Sequence, residues 1–414
     1  MGQVGMTTVG EPDRIVPGEG RPWAIGAARE YRRDPLGFVE RAARERGPVF
    51  RLPDDGALCV ADPAEALRVL HDDAGDYDDV SGFFHVGGGV LGPRATQVAI
   101  GRAARTTLRA HVAAHRERLP AVVAELGEVS AWPDAGRAAV HRFLAGALLR
   151  PDSSPALREL MAYVVRREVL IRPGGRLARL SRRALWARVV RTIAAEARHR
   201  RATPRTADLP GDQPSDQQGD PPGDLLDAVL GATPPGTPAE HVAQVYLLLF
   251  RTSVAPVGHV VAWALLEAAA HDVDLAQVPA GSAVRESLRL WPVAWLLGRP
   301  VRRAHRVGGV PLEPGESVAV CPYLLHRDER HWPQAARFRP GRWDGSEPRG
   351  PYLPFGGGPF TCAGASVAQS LAADLLAALT HDARLEVRRG GGRPHVEGII
   401  TPPPFELRRT ASHT

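Results

Sequence analysis

The chain has 414 residues, 44% hydrophobic residues and a formal net charge of +6 at pH 7. All 52 residues counted as Lys or Arg are arginines, spread over many segments without interleaved aromatics, which disfavours a nucleic-acid-binding surface. Three distant cysteines exclude a disulfide framework and a zinc spacing. Because no apolar run of about 18 residues and no signal peptide is present, we expect a soluble, cytoplasmic protein without a membrane span.

Turn signals divide the first part of the chain into short elements. Residues 1–25 are rich in Gly and Pro, which predicts a flexible N-terminal arm. Asp34-Pro35 predicts the start of a helix that ends near Glu45, and Asp62-Pro63 predicts a second helix that ends near Asp72. Between them, the segments 49–52 and 57–60 predict a β-hairpin around Asp54-Asp55-Gly56.

The middle of the chain is helical, with two loops. Residues 73–97 form a Gly-rich apolar loop that contains one histidine, His85. Arg105 follows on a helix, and helical segments continue through 118–200. Residues 202–224 consist mainly of Pro, Gly, Asp and Gln, so they are predicted to be a disordered insertion.

The longest helical pattern extends from Pro238 to about Ala270. Its middle carries Arg251, Thr252, Ser253 and Ala255-Pro256 within an apolar run that has no acidic residue nearby. Pro256 removes one backbone hydrogen bond and predicts a kink. A buried Arg251 requires an anionic partner, because an unpaired buried charge costs several kcal/mol.

The last third of the chain contains the densest pattern. Glu286 and Arg289 are spaced i, i+3, which places both side chains on one helical face where they can pair. Residues 308–316 carry strong turn chemistry and predict a strand-turn-strand segment. The run from Pro354 to Ala365 places three glycines before Cys362, and an Ala-rich helix follows. The N-terminus of that helix favours a thiolate, and the glycines allow a flat group to approach closely.

These residues carry a family resemblance. The loop resembles the haem-binding pattern Phe-Gly-x-Gly-x-x-x-Cys-x-Gly of the cytochromes P450, and Glu286, Arg289 and Arg342 are similar to the family's buried triad. The resemblance covers about residues 30–408 and is densest from 281 to 379. It implies a mainly α fold with small β-sheets (α+β), with a large helical domain plus a small β-rich lobe. We therefore expect one domain over residues 26–408, followed by a tail at 409–414.

The resemblance also implies a cofactor site. Haem b would be bound with Cys362 as the thiolate ligand of the iron, and its propionates would contact Arg105 and Arg299, with Arg302 as an alternative to Arg299. Two departures affect the propionate partners: Phe360 occupies a position where the family usually has Arg or His, and Gly101 replaces a His. The loop residues expected to bind the cofactor are Phe355, Gly356, Gly358, Phe360, Cys362 and Gly364.

The central helix departs from the family's Ala-Gly-x-Asp/Glu-Thr, whose acid and alcohol deliver protons for O–O cleavage. One register places Ala255-Pro256 at the acid-alcohol position. The other places Arg251-Thr252 there and is similar to the P450 peroxygenases, in which an Arg holds a substrate carboxylate. Arg251, Thr252, Ser253 and Ala255 are therefore the catalytic candidates, and the partner of Arg251 is left open between a substrate acid, a haem propionate and a structural carboxylate.

The function implied is a haem-thiolate oxidase or monooxygenase that acts on a small organic molecule in natural-product biosynthesis and receives electrons from ferredoxin and ferredoxin reductase. One alternative is a peroxide-driven or non-hydroxylating reaction, such as coupling, desaturation or rearrangement. A second alternative, from another class, is a non-catalytic haem-binding or sensor protein. A carrier protein that tethers the substrate remains open as a further partner, and the substrate itself is not defined.

Overall fold

The computed structural model describes residues 23–79, 85–86, 89–167, 176–203, 223–345, 349–390 and 392–412. Residues 1–22 of the predicted arm, 204–222 of the predicted insertion and 413–414 of the predicted tail lie outside the described residues. Most of residues 80–88 lies outside as well, and nothing is described of the side chain of His85.

Helices make up most of the described chain, which confirms the predicted mainly α fold with small sheets. The α-helices are α1 (Ala27–Arg33), α2 (Pro35–Arg46), α3 (Pro63–His71), α4 (Arg94–His115), α5 (Leu119–Ala124), α6 (Asp134–Leu148), α7 (Pro155–Arg167), α8 (Arg176–Ala202), α9 (Leu225–Ala232), α10 (Ala239–Ala270), α11 (Ala280–Leu290), α12 (Pro322–Leu325) and α13 (Ala365–Thr380).

The strands are short and build several small sheets. They are β1 (Val49–Arg51), β2 (Leu58–Val60), β3 (His85–Val86), β4 (Gly89–Val90), β5 (Val129–Trp132), β6 (Leu297–Pro300), β7 (His305–Val307), β8 (Val310–Leu312), β9 (Ser317–Val320), β10 (Ala383–Arg388), β11 (His395–Glu397), β12 (Ile399–Thr401) and β13 (Phe405–Ala411). In the described chain the largest sheet has the order β1-β2-β9-β6, and β2 and β9 pair in parallel.

Local sequence signals account for the predicted N-terminal elements. The Asp34 side chain accepts a hydrogen bond from the Gly37 N–H at the start of α2, and Asp62 accepts one from the Glu65 N–H at the start of α3. The predicted hairpin is also confirmed, because β1 and β2 pair antiparallel. These elements are specified by residues next to one another in the chain, which is why the sequence predicts them.

One prediction about strands needs correction. The helical prediction for 118–200 missed β5, which pairs with β13 about 280 residues later. For β5 a distant partner decides the pairing, and local patterns do not report it. The strand-turn-strand predicted at 308–316 is present as β8 and a turn, with the second strand, β9, starting one residue later; β8 pairs with β7, and β9 pairs with β2 and β6.

The predicted long helix is confirmed as α10, which contributes many of the buried residues of the largest apolar core. Among the described helices it is the one long and apolar enough to cross a membrane, so the expectation that no apolar run of about 18 residues is present was wrong. Within the fold, 72% of its most apolar window is buried. It crosses α6 at two glycines. A Cβ at Gly258 would lie 2.7 Å from the backbone N of Arg137, and one at Gly136 would lie 3.1 Å from the carbonyl of Gly258. The two backbones are therefore in contact.

We expect Gly258→Ala to lower the free energy of unfolding by about 2–3 kcal/mol, because the added methyl group must push α6 and α10 apart. Denaturant titration of the purified protein measures this change. Gly281→Ala in α11 is the matched control, since no atom lies within 4 Å of its added Cβ, and its stability should be unchanged or slightly raised. Equal stability of both variants would contradict the close crossing.

Candidate functional site

Tight backbone turns shape the loop that carries Cys362. Gly356 and Gly358 have φ of +76° and +59°, values that other residues rarely adopt. A Cβ at Gly358 would lie 2.5 Å from the carbonyl oxygen of Leu70, so α3 packs directly on this turn. The Cys362 N–H then donates to the carbonyl of Phe355 at 2.9 Å, which closes the loop before α13 begins at Ala365.

Of the chain's three cysteines, Cys362 is exposed, whereas Cys59 and Cys321 are fully buried. The surrounding protein nevertheless desolvates the Cys362 thiol and raises its pKa, and hydrogen bonds from the N–H groups of Gly364 and Ala365 only partly oppose this. The expected preference for a thiolate is therefore wrong for the free side chain, because desolvation outweighs the helix terminus. Direct binding of a metal cation reverses the preference and deprotonates the thiol.

Two arginines enclose the ring of Phe360. The guanidinium carbons of Arg94 and Arg299 lie 4.1 Å and 4.2 Å from the ring centroid. Arg94 also donates to the carbonyl of Pro359 at 2.6 Å and pairs with Asp79 at 3.1 Å. Phe360 thus brings two cations together beside the cysteine loop, although it carries no charge itself.

Arg299 is buried on β6 and is held by α3 and the segment that follows it. One of its Nη atoms donates to Asp72 at 3.1 Å, and the other donates to the carbonyl of Val69 at 3.3 Å. Its buried Nε has no hydrogen-bond partner within the described residues. Burial lowers the pKa of Arg299, and the charge of Asp72 opposes this shift. Arg299 therefore retains one donor for a further acceptor.

Helix α4 approaches the cysteine loop through Gly101. A Cβ at Gly101 would lie 3.2 Å from the Cβ of Ala363, the residue after Cys362. Arg105, one turn later, is exposed on the helix surface. The structure therefore brings Arg94 and Arg299 together at Phe360, and it leaves Arg105 outside that group.

The predicted ionic triad is confirmed by its geometry. Arg289 donates to both carboxylate oxygens of Glu286, at 3.0 and 2.8 Å, and Arg342 Nε donates to the same carboxylate at 3.3 Å. All three side chains are fully buried. Trp343 Nε1 also donates to Glu286 at 3.0 Å, so the carboxylate is surrounded by donors.

In the middle of α10, Thr252 and Pro256 form an accessible stripe among buried residues. Thr252 is exposed and Pro256 is half-buried, whereas Ala255 is only 7% exposed. The Thr252 hydroxyl donates to the carbonyls of Leu248 and Leu249 at 2.9 and 3.1 Å. Pro256 has no N–H to donate to the Thr252 carbonyl one turn earlier. The stripe therefore contains hydroxyl and carbonyl oxygens and no acid.

Arg251 and Ser253 flank Thr252 and are half-buried. Burial lowers the pKa of Arg251, because desolvation disfavours its charged form. The Ser253 hydroxyl donates to the carbonyl of Leu249 at 2.7 Å. Both hydroxyls near Arg251 are thus bonded to the preceding turn of the helix, and the catalytic roles of these residues stay predictions.

Comparison with known proteins identifies the family. The family model described as Cytochrome P450 matches residues 274–406. Cyclooctatin synthase of Streptomyces melanosporofaciens is 36% identical over 127 residues, which is 30% of this chain and 28% of that protein. Cytochrome P450 3A1 of Rattus norvegicus is 40% identical over 85 residues, which is 20% of this chain and 17% of that protein. The chain thus matches less than a third of the length of these relatives.

Solved structures extend the likeness of the fold to almost the whole chain. P450BioI, solved in complex with an acyl carrier protein, matches with a TM-score of 0.70 and 15% identity over 92% of this chain and 100% of its own. Cytochrome P450 TbtJ1 matches with a TM-score of 0.70 and 19% identity over 94% of this chain and 100% of its own. Residues 274–406 match the cytochrome P450 family, and the chain as a whole has the cytochrome P450 fold.

The cofactor of this family is haem b with a cysteine thiolate as the axial ligand of the iron. The residues of this P450 fit that group. Cys362 is the cysteine that solvent reaches, and the turns at Gly356 and Gly358 shape the loop that precedes it. Arg299 offers a buried donor without a partner among the described residues, which suits a carboxylate.

Sequence reasoning missed two residues beside this site, Arg94 and Asp72. Arg94 reaches Pro359 across 265 positions of the chain, and Asp72 meets Arg299 across 227. No motif marks Arg94 in a chain so rich in arginine. The one available signal was Phe360 itself: it replaces the Arg or His that the family usually has there, which indicates that another cation lies nearby.

We expect iodoacetamide to label the native, haem-free P450 at Cys362 alone, because Cys59 and Cys321 are fully buried. The raised pKa makes the reaction slower at neutral pH than that of a solvated thiol, and its rate increases as the pH rises. Mass spectrometry of the digested protein measures both results. Labelling after denaturation is the control for the other two sites, and equal labelling of Cys59 in the native protein would contradict the structure.

Proposed function

We propose that this P450 is a haem-thiolate monooxygenase that acts on a small organic substrate in natural-product biosynthesis. The observation that carries the proposal is the contrast between Cys362, which is exposed in a glycine loop, and the two other cysteines, which are sealed in the core. Cyclooctatin synthase among the relatives and an EryK structure solved with erythromycin B among the neighbours support a biosynthetic role. When bound, haem with a thiolate ligand supplies oxygen activation.

The proposed cofactor site assigns Cys362 as the axial ligand. Arg299 and Arg94 are the proposed propionate partners, since Phe360 holds both guanidinium groups beside the loop. Arg105 is a weaker candidate for this role because it is exposed. The loop residues that we propose to contact the cofactor or shape its site are Phe355, Gly356, Gly358, Phe360 and Gly364.

Proton delivery in the proposed reaction relies on backbone and water. The hydroxyls of Thr252 and Ser253 donate to carbonyls of their own helix, so each retains lone pairs that can accept from water. Pro256 leaves the Thr252 carbonyl without its usual helical donor. We infer that water bound at Thr252 transfers the protons that an acid-alcohol pair would otherwise supply, and that Ala255 forms part of the wall behind it.

The proposed electron donors are a ferredoxin and its reductase. Arg102, Arg105 and Arg109 are exposed on α4, and their spacing of three and four residues places them on one face. The same helix contacts the cysteine loop at Gly101. An acidic protein attracted to this face would therefore approach the proposed haem ligand.

The remaining assignments concern location and substrate delivery. We propose a cytoplasmic protein, because the apolar helix α10 is mostly buried inside the fold. The structure of P450BioI was solved with an acyl carrier protein bearing hexadec-9Z-enoic acid. Delivery of the substrate on a carrier protein is therefore an alternative to a free substrate in this P450.

The decisive experiment is the carbon monoxide spectrum of the reduced protein loaded with haem. We expect the absorption band of a thiolate-ligated haem, and we expect Cys362→Ser to abolish it, because an alcohol does not replace the thiolate. Ser366→Ala, an exposed position four residues later, is the matched control and should retain the band. If the native protein binds haem and gives no thiolate-type band, the proposal fails.

A second candidate is a peroxide-driven reaction, and Arg251 is the observation that favours it. Its guanidinium is half-buried beside Thr252, where burial strengthens its attraction for a carboxylate. In this candidate the substrate is an acid whose carboxylate binds Arg251 and takes up and returns the proton of the peroxide. Such a reaction needs no ferredoxin.

We expect Arg251→Ala to abolish peroxide-driven turnover of a long-chain or aromatic acid if this candidate is correct, with a loss of about a hundredfold or more in kcat/KM. Arg251→Lys keeps the charge without the planar fork and should retain part of the activity. Product analysis by mass spectrometry, with peroxide alone and with ferredoxin plus reductase, distinguishes the two candidates. Turnover that requires the reductase system and tolerates Arg251→Ala would remove the peroxide-driven candidate.

A further inference from the structure

His326 lies at a junction between two parts of the molecule, and the proposed chemistry does not use it. It follows α12 as the cap residue, and its side chain is fully buried. Its Nδ1 lies 3.0 Å from the carbonyl oxygen of Arg289, at the end of α11. Its Nε2 lies 2.8 Å from the backbone nitrogen of Leu353, two residues before Phe355 of the cysteine loop.

These two contacts define the tautomer. The Leu353 N–H is a donor, so Nε2 must accept with its lone pair, and the ring proton must then reside on Nδ1 and bond to the Arg289 carbonyl. Burial and the neighbouring charges of Arg289 and Arg327 lower the pKa of His326 to about 3. The ring is therefore neutral at ordinary pH, as this arrangement requires.

The contacts on the α11 side make a rigid support. Arg289 Nη1 donates to the carbonyl of His326 at 2.7 Å, so His326 and Arg289 bind each other in both directions. Arg289 is itself held by both carboxylate oxygens of Glu286. The ring of Tyr352 stacks beside the imidazole with a centroid distance of 5.7 Å, which limits its rotation.

The contacts on the loop side continue to the cysteine. The Leu353 carbonyl accepts from the Gly356 N–H at 3.1 Å, and the Phe355 carbonyl accepts from the Cys362 N–H at 2.9 Å. Leu353 is buried, so its N–H has no access to solvent. Loss of the acceptor at His326 would leave a buried donor unsatisfied at the point where this loop begins.

We propose that His326 is a positioning residue that ties the cysteine loop to the buried ionic triad and thereby fixes where Cys362 presents its sulfur. This inference rests on the proposed haem-thiolate function. His326 touches neither substrate nor the reacting atoms, and it acts through Leu353. Without the bond to Leu353, the loop can move away from the triad, and thiolate ligation of the iron is weakened.

Two conservative variants separate the two hydrogen bonds. His326→Gln places an amide near the position of Nε2 and can still accept from Leu353. In His326→Asn the side chain is shorter. Its amide N–H can still donate to the Arg289 carbonyl, but it does not reach the Leu353 N–H. Both variants keep a polar group in the site and are expected to fold. His331→Asn, in the same segment and partly exposed, is the matched control.

Two readouts on the purified 414-residue chain loaded with haem test the proposal. In His326→Asn we expect the Leu353 amide to exchange hydrogen about tenfold faster, as for the loss of one buried hydrogen bond. We also expect a smaller share of thiolate-type carbon monoxide complex. His326→Gln and the control should resemble the native protein in both readouts.

Equal behaviour of His326→Asn and His326→Gln, whether native-like or impaired, would overturn the proposal, because only one of them retains the bond to Leu353. A native protein that lacks the thiolate-type band would defeat the proposed function instead. In that case hydrogen exchange at Leu353 still decides whether His326 holds the loop, so the two failures are distinguishable.

Discussion

The ion pairs and hydrogen bonds of the buried Glu286 carboxylate are the interactions on which the part of the fold around the cysteine loop depends. A charge without solvent must be neutralised by nearby donors, and removal of one partner of such a pair costs about 3–5 kcal/mol. Glu286 receives Arg289 from its own helix, and Arg342 and Trp343 from a segment more than fifty residues later. Helix α11 and that segment are therefore joined by electrostatics, and the cysteine loop is assembled on the joined unit.

The features that the sequence predicts are those that nearby residues specify. The spacing of Glu286 and Arg289 within one helical turn predicts their pairing, and the glycines before Cys362 predict a tight loop whose backbone angles the structure confirms. Asp34 and Asp62 predict the helix starts for the same reason. In each case the determining atoms lie within a few residues of one another.

The features that the sequence does not predict depend on contacts between distant segments. Arg94 meets Phe360 only because α4 and the cysteine loop are brought together by the fold, and β5 becomes a strand only because β13 lies beside it. The protonation of Cys362 is a similar case. The helix terminus can be read from the sequence and favours the thiolate, but the desolvation that opposes it depends on packing from several elements.

The raised pKa of Cys362 has a consequence for the chain before its cofactor arrives. Peroxides oxidise the thiolate form of cysteine, and a sulfinic or sulfonic product is irreversible and cannot bind iron in the same way. A newly folded chain exposes this sulfur to solvent but keeps it mainly as the slowly oxidised thiol. We expect the same desolvation to slow oxidation of Cys362 before a cofactor is bound, because less of the sulfur is then present as the thiolate.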